Sequence, residues 1–369
     1  MAIKPLSGIR VLDATSNIAG PFGGSILADL GAEVTKIESP SGDPARSMAP
    51  VDGDKSAYFE IVNRNKLVTE IDLKSKAGID RLSEQLGNCD VFLTNFLPEQ
   101  LKVLGISADE IMNKFPQLIY GNLTSYGSVG QDASTPGYDA TVQARTGIMH
   151  LTGESDGDPV RVGVSILDLG SGTWLAMGIL AALLERNKTG KGSLVETSLY
   201  ETGVAWVSYH LSAFQILGSP SVRSGSGHPT FSPYGLFKTK DNDICIGVGS
   251  DAVFQRLCIQ IGREDLIKDE LYISNVGRVQ NRKKLTEEIE QALVEKPAAY
   301  WAQKLGSNGV PADLLVRPEA LFDDPQVKEV GMLLSNPDKD SSVKLIPGLP
   351  IKFNGQRPEI YRSAPHKES

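Results

Sequence analysis

Cysteine is scarce in this chain: Cys89, Cys245 and Cys258 are the only three in 369 residues, with no CxxC pair and no histidine at metal-ligand spacing. That excludes a disulfide-stapled scaffold and a zinc ribbon. Each cysteine reads as a small buried apolar residue in a protein of a reducing compartment. Long apolar runs are also lacking. The most apolar stretch, Trp174 to Leu184, is about half of what a bilayer needs. The opening MAIKPLSGIRVLD enters a strand pattern without a signal-peptide core. The expectation is a cytoplasmic protein with no membrane partner. An excess of basic residues is missing as well: 37 Lys and Arg face 45 Asp and Glu, for a net charge of -8. A general nucleic-acid binder needs a basic face, so that class is excluded, whereas a local group of cations can still hold an anionic small ligand. There is no internal repeat and no low-complexity tract.

What remains is an ordinary globular composition, 40% hydrophobic and 22% charged, on a chain long enough for two domains. Ile9 to Asp13 reads as a short buried strand. The turn-rich Ala19-Gly20-Pro21-Phe22-Gly23-Gly24 follows, then a short helix from Ser25 to Leu30 closed by Gly31, then a strand from Glu33 to Ile37. Strand, glycine-rich turn, helix and strand within about 30 residues make a βαβ unit and hence a parallel sheet. The alternation continues with strands at 67–73, 91–94 and 118–123, a helix at 78–86, and a further strand at 194–197. Gly172 to Arg186 is apolar nearly all round, which predicts a buried helix. Beyond Leu217 the composition turns to Gly, Ser and Pro through 218–230, as in a linker or an active-site loop. A smaller α/β unit follows, with a strand at 243–248 and helices at 252–261 and 283–293. Leu315, Leu345 and Ile351 lie in segments that could rejoin the first layer.

Four groups of residues carry chemistry on this reading, and each has a plain structural alternative. Glu38 follows the second strand, where an acid can hold a ribose; the glycines Gly20, Gly23 and Gly24 do not make GxGxxG, and Glu38 reads equally as a solvated surface acid. Lys36, Arg46, Arg64, Lys66, Lys74, Lys76 and Lys102 cluster near predicted strand ends and suit phosphate, yet lysines on outer helix faces look the same. Asp168 falls between a strand-like run, Val160 to Leu167, and the buried helix. It either caps that helix or serves as a nucleophile at its positive end beside Gly170 and Gly172, and local physics alone favours the cap. Tyr138-Asp139 after Pro136-Gly137 reads as a structural turn. Among the histidines His150, His210, His228 and His366, only His228 sits in a glycine loop, a weak signal.

Taken together the wording resembles one family. VLDATSNIAGPFGGSILADLGAEVTKIESPSGDPAR, NRNKLVTEIDLK, TNFLPEQLKVLG, PGYDATVQARTGIMHLTG, DPVRVGVSILDLGSG and ERNKTGKG, spread from about Leu6 to Val330, are similar to the family III CoA-transferases. The resemblance implies an α/β fold: a Rossmann-like large domain built from both chain ends with an inserted smaller α/β domain, two subunits interlocking as a homodimer. With the change of composition at Leu217, the boundaries are 1–217 for the first part of the large domain, 218–305 for the linker and small domain, and 306–369 for the return. It further implies coenzyme A thioester and carboxylic acid as substrates, with no prosthetic group and no metal.

By motif position Asp168 matches the catalytic aspartate. Ile18 and Ala19 match the turn under the pantetheine arm. Ile71, Asp72, Leu73 and Lys74, with Asn95, Phe96 and Leu97, match the segments lining the CoA nucleotide, and Tyr138 falls where the thioester approaches. Gly225, Ser226, Gly227 and His228 match a loop that closes over the active site. Backbone N–H groups of Gly170-Ser171-Gly172 are candidate oxyanion donors.

Departures from the family pattern are informative. Ser39 and Val103 stand where relatives that bind CoA carry arginines, with Arg46 and Lys102 close enough to substitute. Ser16 and Ile18 replace the polar pair of formyl-CoA transferase, which argues against formyl or oxalyl chemistry as the main activity. The chain stops at Ser-Ala-Pro-His-Lys-Glu-Ser where relatives continue into a final helix. An α-methylacyl-CoA racemase shares the fold but needs a histidine at position 138; a phenol is a poor base near neutral pH. A CoA-binding protein without catalysis is the other alternative, and an NAD-dependent dehydrogenase a third. The wording of 136–164 and 233–241 is similar to succinyl-CoA:glutarate-type transferases, so succinyl-CoA as donor and a small dicarboxylate as acceptor are expected. Arg145, Arg161 or His228 are candidates for the distal carboxylate.

Overall fold

The computed structural model describes residues 3–53 and 55–366; the last residues of the C-terminal run and the first two of the chain lie outside them. Six parallel strands form the main sheet: β1 (Arg10–Asp13), β2 (Glu33–Glu38), β3 (Leu67–Glu70), β4 (Val91–Thr94), β5 (Ile119–Thr124) and β6 (Leu194–Ser198). Their spatial order is β3-β2-β1-β4-β5-β6, the order of doubly wound nucleotide-binding sheets, in which the chain reverses direction of travel between β1 and β4. Ligands of such sheets sit outside the carboxyl ends at that reversal. The β4 and β5 strands are buried along their full length, as expected for a parallel sheet covered on both faces.

The glycine-rich segment after β1 is not a turn. It is the first half of α1 (Ala19–Asp29). Glycine costs about 1 kcal/mol in a helix interior, but here contact with a neighbouring helix requires it. A Cβ on Gly172 would lie 2.5 Å from the carbonyl oxygen of Ala19 and 3.0 Å from the nitrogen of Gly23. Pro21 falls in the first turn, where its missing N–H leaves no bond unmade. Between β3 and β4 lies α2 (Lys76–Leu86), capped by Ser75.

The helix after Asp168 is also longer than the sequence suggests. No strand forms over 160–167. Instead α3 (Asp139–Arg145) leads through a loop to α4 (Ile166–Thr189), which ends on the left-handed Gly190. The buried positions Leu167, Ser171, Leu175, Ile179 and Leu183 recur every four residues and face α1 and the sheet. The opposite face is open: Trp174, Met177 and Leu184 are 40%, 51% and 66% exposed. So α4 is buried on one side only, because a helix covering a sheet has one partner face. At 24 residues it is long and apolar enough to cross a bilayer by length and composition alone; the shorter run read from the sequence stopped at Trp174 because Gly, Ser and Thr precede it.

Contacts divide the chain into two compact units. The first comprises 1–148, 162–209 and 322–369; the second comprises 149–161 and 210–321. The second unit thus starts earlier and ends later than 218–305, and takes in 149–161 because Gly225 donates to Gly153 O and Arg223 donates to carbonyls of His150, Glu154 and Gly157. Its sheet is antiparallel, with β7 (Tyr234–Lys238) and β9 (Ala312–Leu314) flanking β8 (Asp243–Gly247). Phe237, Ile244, Leu257, Leu285, Ile289 and Trp301 form its core. Leu315 stays in this unit. Leu345 lies in a two-stranded ribbon of the first unit, β10 (Leu333–Ser335) with β11 (Leu345–Pro347), and does not join the main sheet. Of the cysteines only Cys258 is buried; Cys245 alternates outward on β8 and is exposed.

Candidate active site at the strand reversal

Two adjoining cavities open at the carboxyl ends of β1 to β5, both within the first unit. The larger, about 770 Å3, is walled by the ends of β1, β2 and β3 and by the segment after β4. Ile71, Asp72, Leu73, Lys74 and Phe96 line it, and so do Ser39 and Val103. The smaller, about 370 Å3, is lined by Ile18, Ala19, Asn95, Leu97, Tyr138 and Asp168. Ser16 belongs to both walls.

The β1–α1 connection between them is held by side chains from distant segments. Asn95, just after β4, accepts from the N–H of Ser16 at 3.1 Å and donates to its carbonyl at 2.9 Å. Asp43 accepts from the N–H of Asn17 at 3.1 Å, and Asn17 adopts the left-handed conformation, φ 66°, which asparagine tolerates better than most residues. Asp43 also meets the buried Lys36 at 2.6 Å, and Lys36 donates to Thr15 O.

Beneath the floor lies a second buried pair. Lys66 Nζ donates to Asp13 Oδ2 at 2.8 Å, to Pro21 O at 2.7 Å and to Asn63 Oδ1 at 3.0 Å, so its three donors are all used. Burial pushes the Lys66 ammonium down to about 8. Burial works to raise Asp13, but Lys66 and Lys36 together outweigh it and hold that carboxyl below its ordinary value. A Cβ on Gly24 would stand 2.5 Å from Asp13 Oδ2, so the pair fits only against a glycine.

Most of the candidate cations are therefore committed elsewhere. Arg64 is bound to Asp29 in the interior. Arg46 makes two 2.8 Å bonds to Glu38, stacks on Phe59 at 3.8 Å and is not on the cavity wall. Glu38 is correspondingly buried rather than solvated. Lys102 is exposed on the helix over 98–104 and lies outside the wall too. Among the described wall residues of the larger cavity, Lys74 is left as the cation without a buried acid. Arg145 reaches Asp132 at the surface.

Asp168 sits in the first turn of α4 without capping it. The Asp139 carboxylate, from the start of α3, accepts the N–H of Leu167 at 2.7 Å and that of Asp168 at 3.2 Å. Asp139 is itself held by Gln143 Nε2. Ser165, at the N-cap position, makes no side-chain cap bond. Burial, reinforced by the Asp139 charge, raises the Asp168 carboxyl to about 7. Gly170-Ser171-Gly172 lies in the second helical turn, where N–H groups close i→i−4 bonds, and Ser171 Oγ donates to Leu167 O. These amides are not open oxyanion donors. Tyr138 is 73% exposed at the mouth of the smaller cavity.

Gly225, Ser226, Gly227 and His228 belong to the second unit and form a turn pinned at several points. Ser226 Oγ accepts from Leu236 N, His228 Nδ1 accepts from Thr230 N, and Arg282 donates to His228 O. Burial and the nearby Arg282 lower the His228 pKa. Among the described residues no group of three His, Cys, Asp or Glu comes together as a metal site.

Comparison with known proteins identifies the family. The family model described as CoA-transferase family III matches residues 6–368, and the chain belongs to that family. The human succinyl-CoA:glutarate CoA-transferase is 35% identical over 95% of this chain and 81% of its own. The Acetobacter aceti acetyl-CoA:oxalate CoA-transferase is 36% identical over 95% and 90%. A crystal structure of a CaiB/BaiF family protein from Brucella suis superposes with a TM-score of 0.87 at 31% identity, over 98% and 96% of the two chains. The protein is a CoA-transferase, and the match extends past Val330 to the C-terminal segment. Relatives named for glutarate and for oxalate are equally similar, so overall identity does not separate the acceptors.

Proposed function

We propose that the protein moves CoA from succinyl-CoA to a small dicarboxylic acid through Asp168. The observation that carries this is a carboxylate at a helix N-terminus, on the wall of a cavity that meets a second, larger one through Ser16. The larger cavity suits the nucleotide end of the thioester, and the shared wall at Ser16 leads the pantetheine arm past Ile18 and Ala19 toward Asp168.

An Asp168 oxygen attacks the thioester carbonyl, the C–S bond breaks, and CoA leaves as thiolate, giving an aspartyl–acyl anhydride. The thiolate then attacks the aspartyl carbonyl. The C–O bond of the anhydride breaks, the first acid departs as carboxylate, and an aspartyl-CoA thioester remains. The acceptor carboxylate repeats the two steps in reverse. Both intermediates are activated acyl groups, which a carboxylate nucleophile makes possible. Water must be excluded from the anhydride, which calls for a closing loop. The open apolar face of α4, with Trp174, Met177 and Leu184, suits a second copy of the chain in the expected homodimer. Three free cysteines fit a cytoplasmic setting.

The test is incubation with succinyl-CoA and a panel of carboxylic acids, reading new thioesters by mass and trapping the aspartyl thioester with hydroxylamine. Glutaryl-CoA or a similar dicarboxyl thioester and a hydroxamate at Asp168 are expected. Deuterium exchange at the acyl α-carbon without any CoA transfer would point instead to a racemase using Tyr138.

A further inference from the structure

We propose that Asp139 is the positioning residue of the reaction: it relieves Asp168 of the helix cap and, by its charge, favours the neutral acylated state of Asp168 over the free carboxylate. The inference rests on the reading of Asp168 as nucleophile and goes beyond it.

The geometry gives Asp139 two functions. An aspartate in the first turn of a helix ordinarily turns back onto the open N–H groups. Here the N–H groups of Leu167 and Asp168 are both occupied by one oxygen of Asp139. The Asp168 side chain is left toward the cavity, on whose wall it lies. The second function follows from charge. A carboxylate brought close to another one is destabilised as the anion. In the anhydride and in the thioester Asp168 carries no charge, so the repulsion with Asp139 ends when acylation occurs. A more basic carboxylate is also the better nucleophile.

The neighbours of Asp168 leave Asp139 as the source of this charge effect. Asp29 on α1 is tied to Arg64, and Arg145 on α3 is turned to Asp132. The phenol of Tyr120 on β5 donates to Ile106 O. Glu196 on β6 and Tyr200 and Glu201 on the helix over 199–206 complete the ionisable groups of the packed elements; Glu201 accepts from Ser198. On α4 itself Glu185, Arg186 and Lys188 lie at the far end. Tyr138 faces the same cavity. Of all these, Asp139 alone adds to burial in raising Asp168.

Asp139→Asn keeps a carbonyl acceptor for the cap and removes the charge. The expected result is a fall of the acid limb of kcat/KM by at least half a pH unit and at least a threefold drop in the hydroxylamine-trappable enzyme at equilibrium with succinyl-CoA. A uniform loss of rate with the acid limb unmoved would mean a merely structural role and overturn the proposal. Should that variant not fold, difference infrared titration of the wild type against Asp168→Asn reads the Asp168 carboxyl directly. A midpoint in the ordinary carboxylate range near 4 overturns the proposal, as does one near 7 that is unmoved in Asp139→Ser, whose hydroxyl keeps an acceptor for the cap; a fall of at least half a pH unit in that variant supports it. Asp168→Ala separates the two readings. If it still turns over, the nucleophile assignment fails; if it is dead while Asp139→Asn keeps the wild-type limb, only the role of Asp139 fails.

Discussion

Asp139 Oδ2 accepts the backbone N–H of Asp168 itself, at 3.2 Å, and that of Leu167 at 2.7 Å. Two acids 29 positions apart thereby divide the work of one helix end. One completes the hydrogen bonding of the first turn, and the other remains chemically available. Of the two readings that local sequence left open at Asp168, the cap belongs to another residue, and the nucleophile is the one proposed.

Asp168→Asn is expected to stop CoA transfer and to stabilise the fold. The Asp168 carboxyl is raised to about 7 by burial and by Asp139, whereas in the unfolded chain it titrates near 4. Between those values the folded state binds the extra proton, so its stability falls as pH rises across this window, and the penalty is fully present above 7. The variant should therefore exceed the wild type by about 2–4 kcal/mol at pH 8 and match it near pH 4. Urea melts of both proteins across pH 4 to 8 measure this, and a gap that does not close at low pH would contradict it.

The rate of the wild type should follow the same ionisation. Transfer needs the carboxylate, so kcat/KM is expected to rise with pH along a single limb with its midpoint near 7 for the free enzyme. Initial rates at low succinyl-CoA between pH 5.5 and 8.5 give the profile, and a flat profile through that interval would remove Asp168 from the rate equation.

Binding of the nucleotide end should improve by adding charge. Ser39 and Val103 both face the larger cavity, whose wall also carries Glu38, Asp43, Asp72 and Glu99 against Lys36 and Lys74. Introducing an arginine at one of these positions, Val103→Arg or Ser39→Arg, supplies a phosphate partner at the cost of little packing, since Val103 is exposed. A fall in Kd for CoA of roughly 3- to 10-fold at low salt is expected, shrinking at high salt. Calorimetry at two ionic strengths tests it.

The buried pair under the site predicts a large asymmetry between variants. Lys66→Met strands Asp13 in the interior and should cost about 3–5 kcal/mol, while Lys66→Met combined with Asp13→Leu should restore much of the loss. Thermal melts of the single and double variants at neutral pH decide this; equal destabilisation in both would show that the charges are not what the site requires.

Much of the fold was legible from periodicity. The strands at β1, β2, β4, β5 and β6 fall within a residue or two of their expected places, β4 and β5 because fully buried parallel strands stand out as short apolar runs between turns. The errors are where tertiary contact overrides local preference. Gly20, Gly23 and Gly24 look like a turn but are helical, because the space next to them is filled by Thr15, Gly172 and Asp13. Val160 to Leu167 looks like a strand, yet α4 begins at Ile166 because Asp139 supplies its cap from another helix.

The site shows the same division. Asp168, Ile18, Ala19, Ile71 to Lys74, Asn95 to Leu97 and Tyr138 stand on the cavity walls. Arg46 does not, since nothing local in the sequence announces that Glu38 claims it. Asn95 carried no sign of its clamp on Ser16, nor Asp13 of its pairing with Lys66, because both partnerships span more than 50 residues. Asp139 was visible only as the second half of a turn motif.

The meeting of α1 with α4 at Gly23 and Gly172 is backbone against backbone. A Cβ at either glycine would come within 3.0 Å of the other helix's backbone, so neither position accepts a side chain. The turn that follows Ser16 and the aspartate at position 168 are thus surveyed from one fixed benchmark. New acids can be accommodated by redrawing the wall around Asp168, with Tyr138 and Ile18 as the movable borders, while the span from Ser16 to Asp168 stays where the glycines put it.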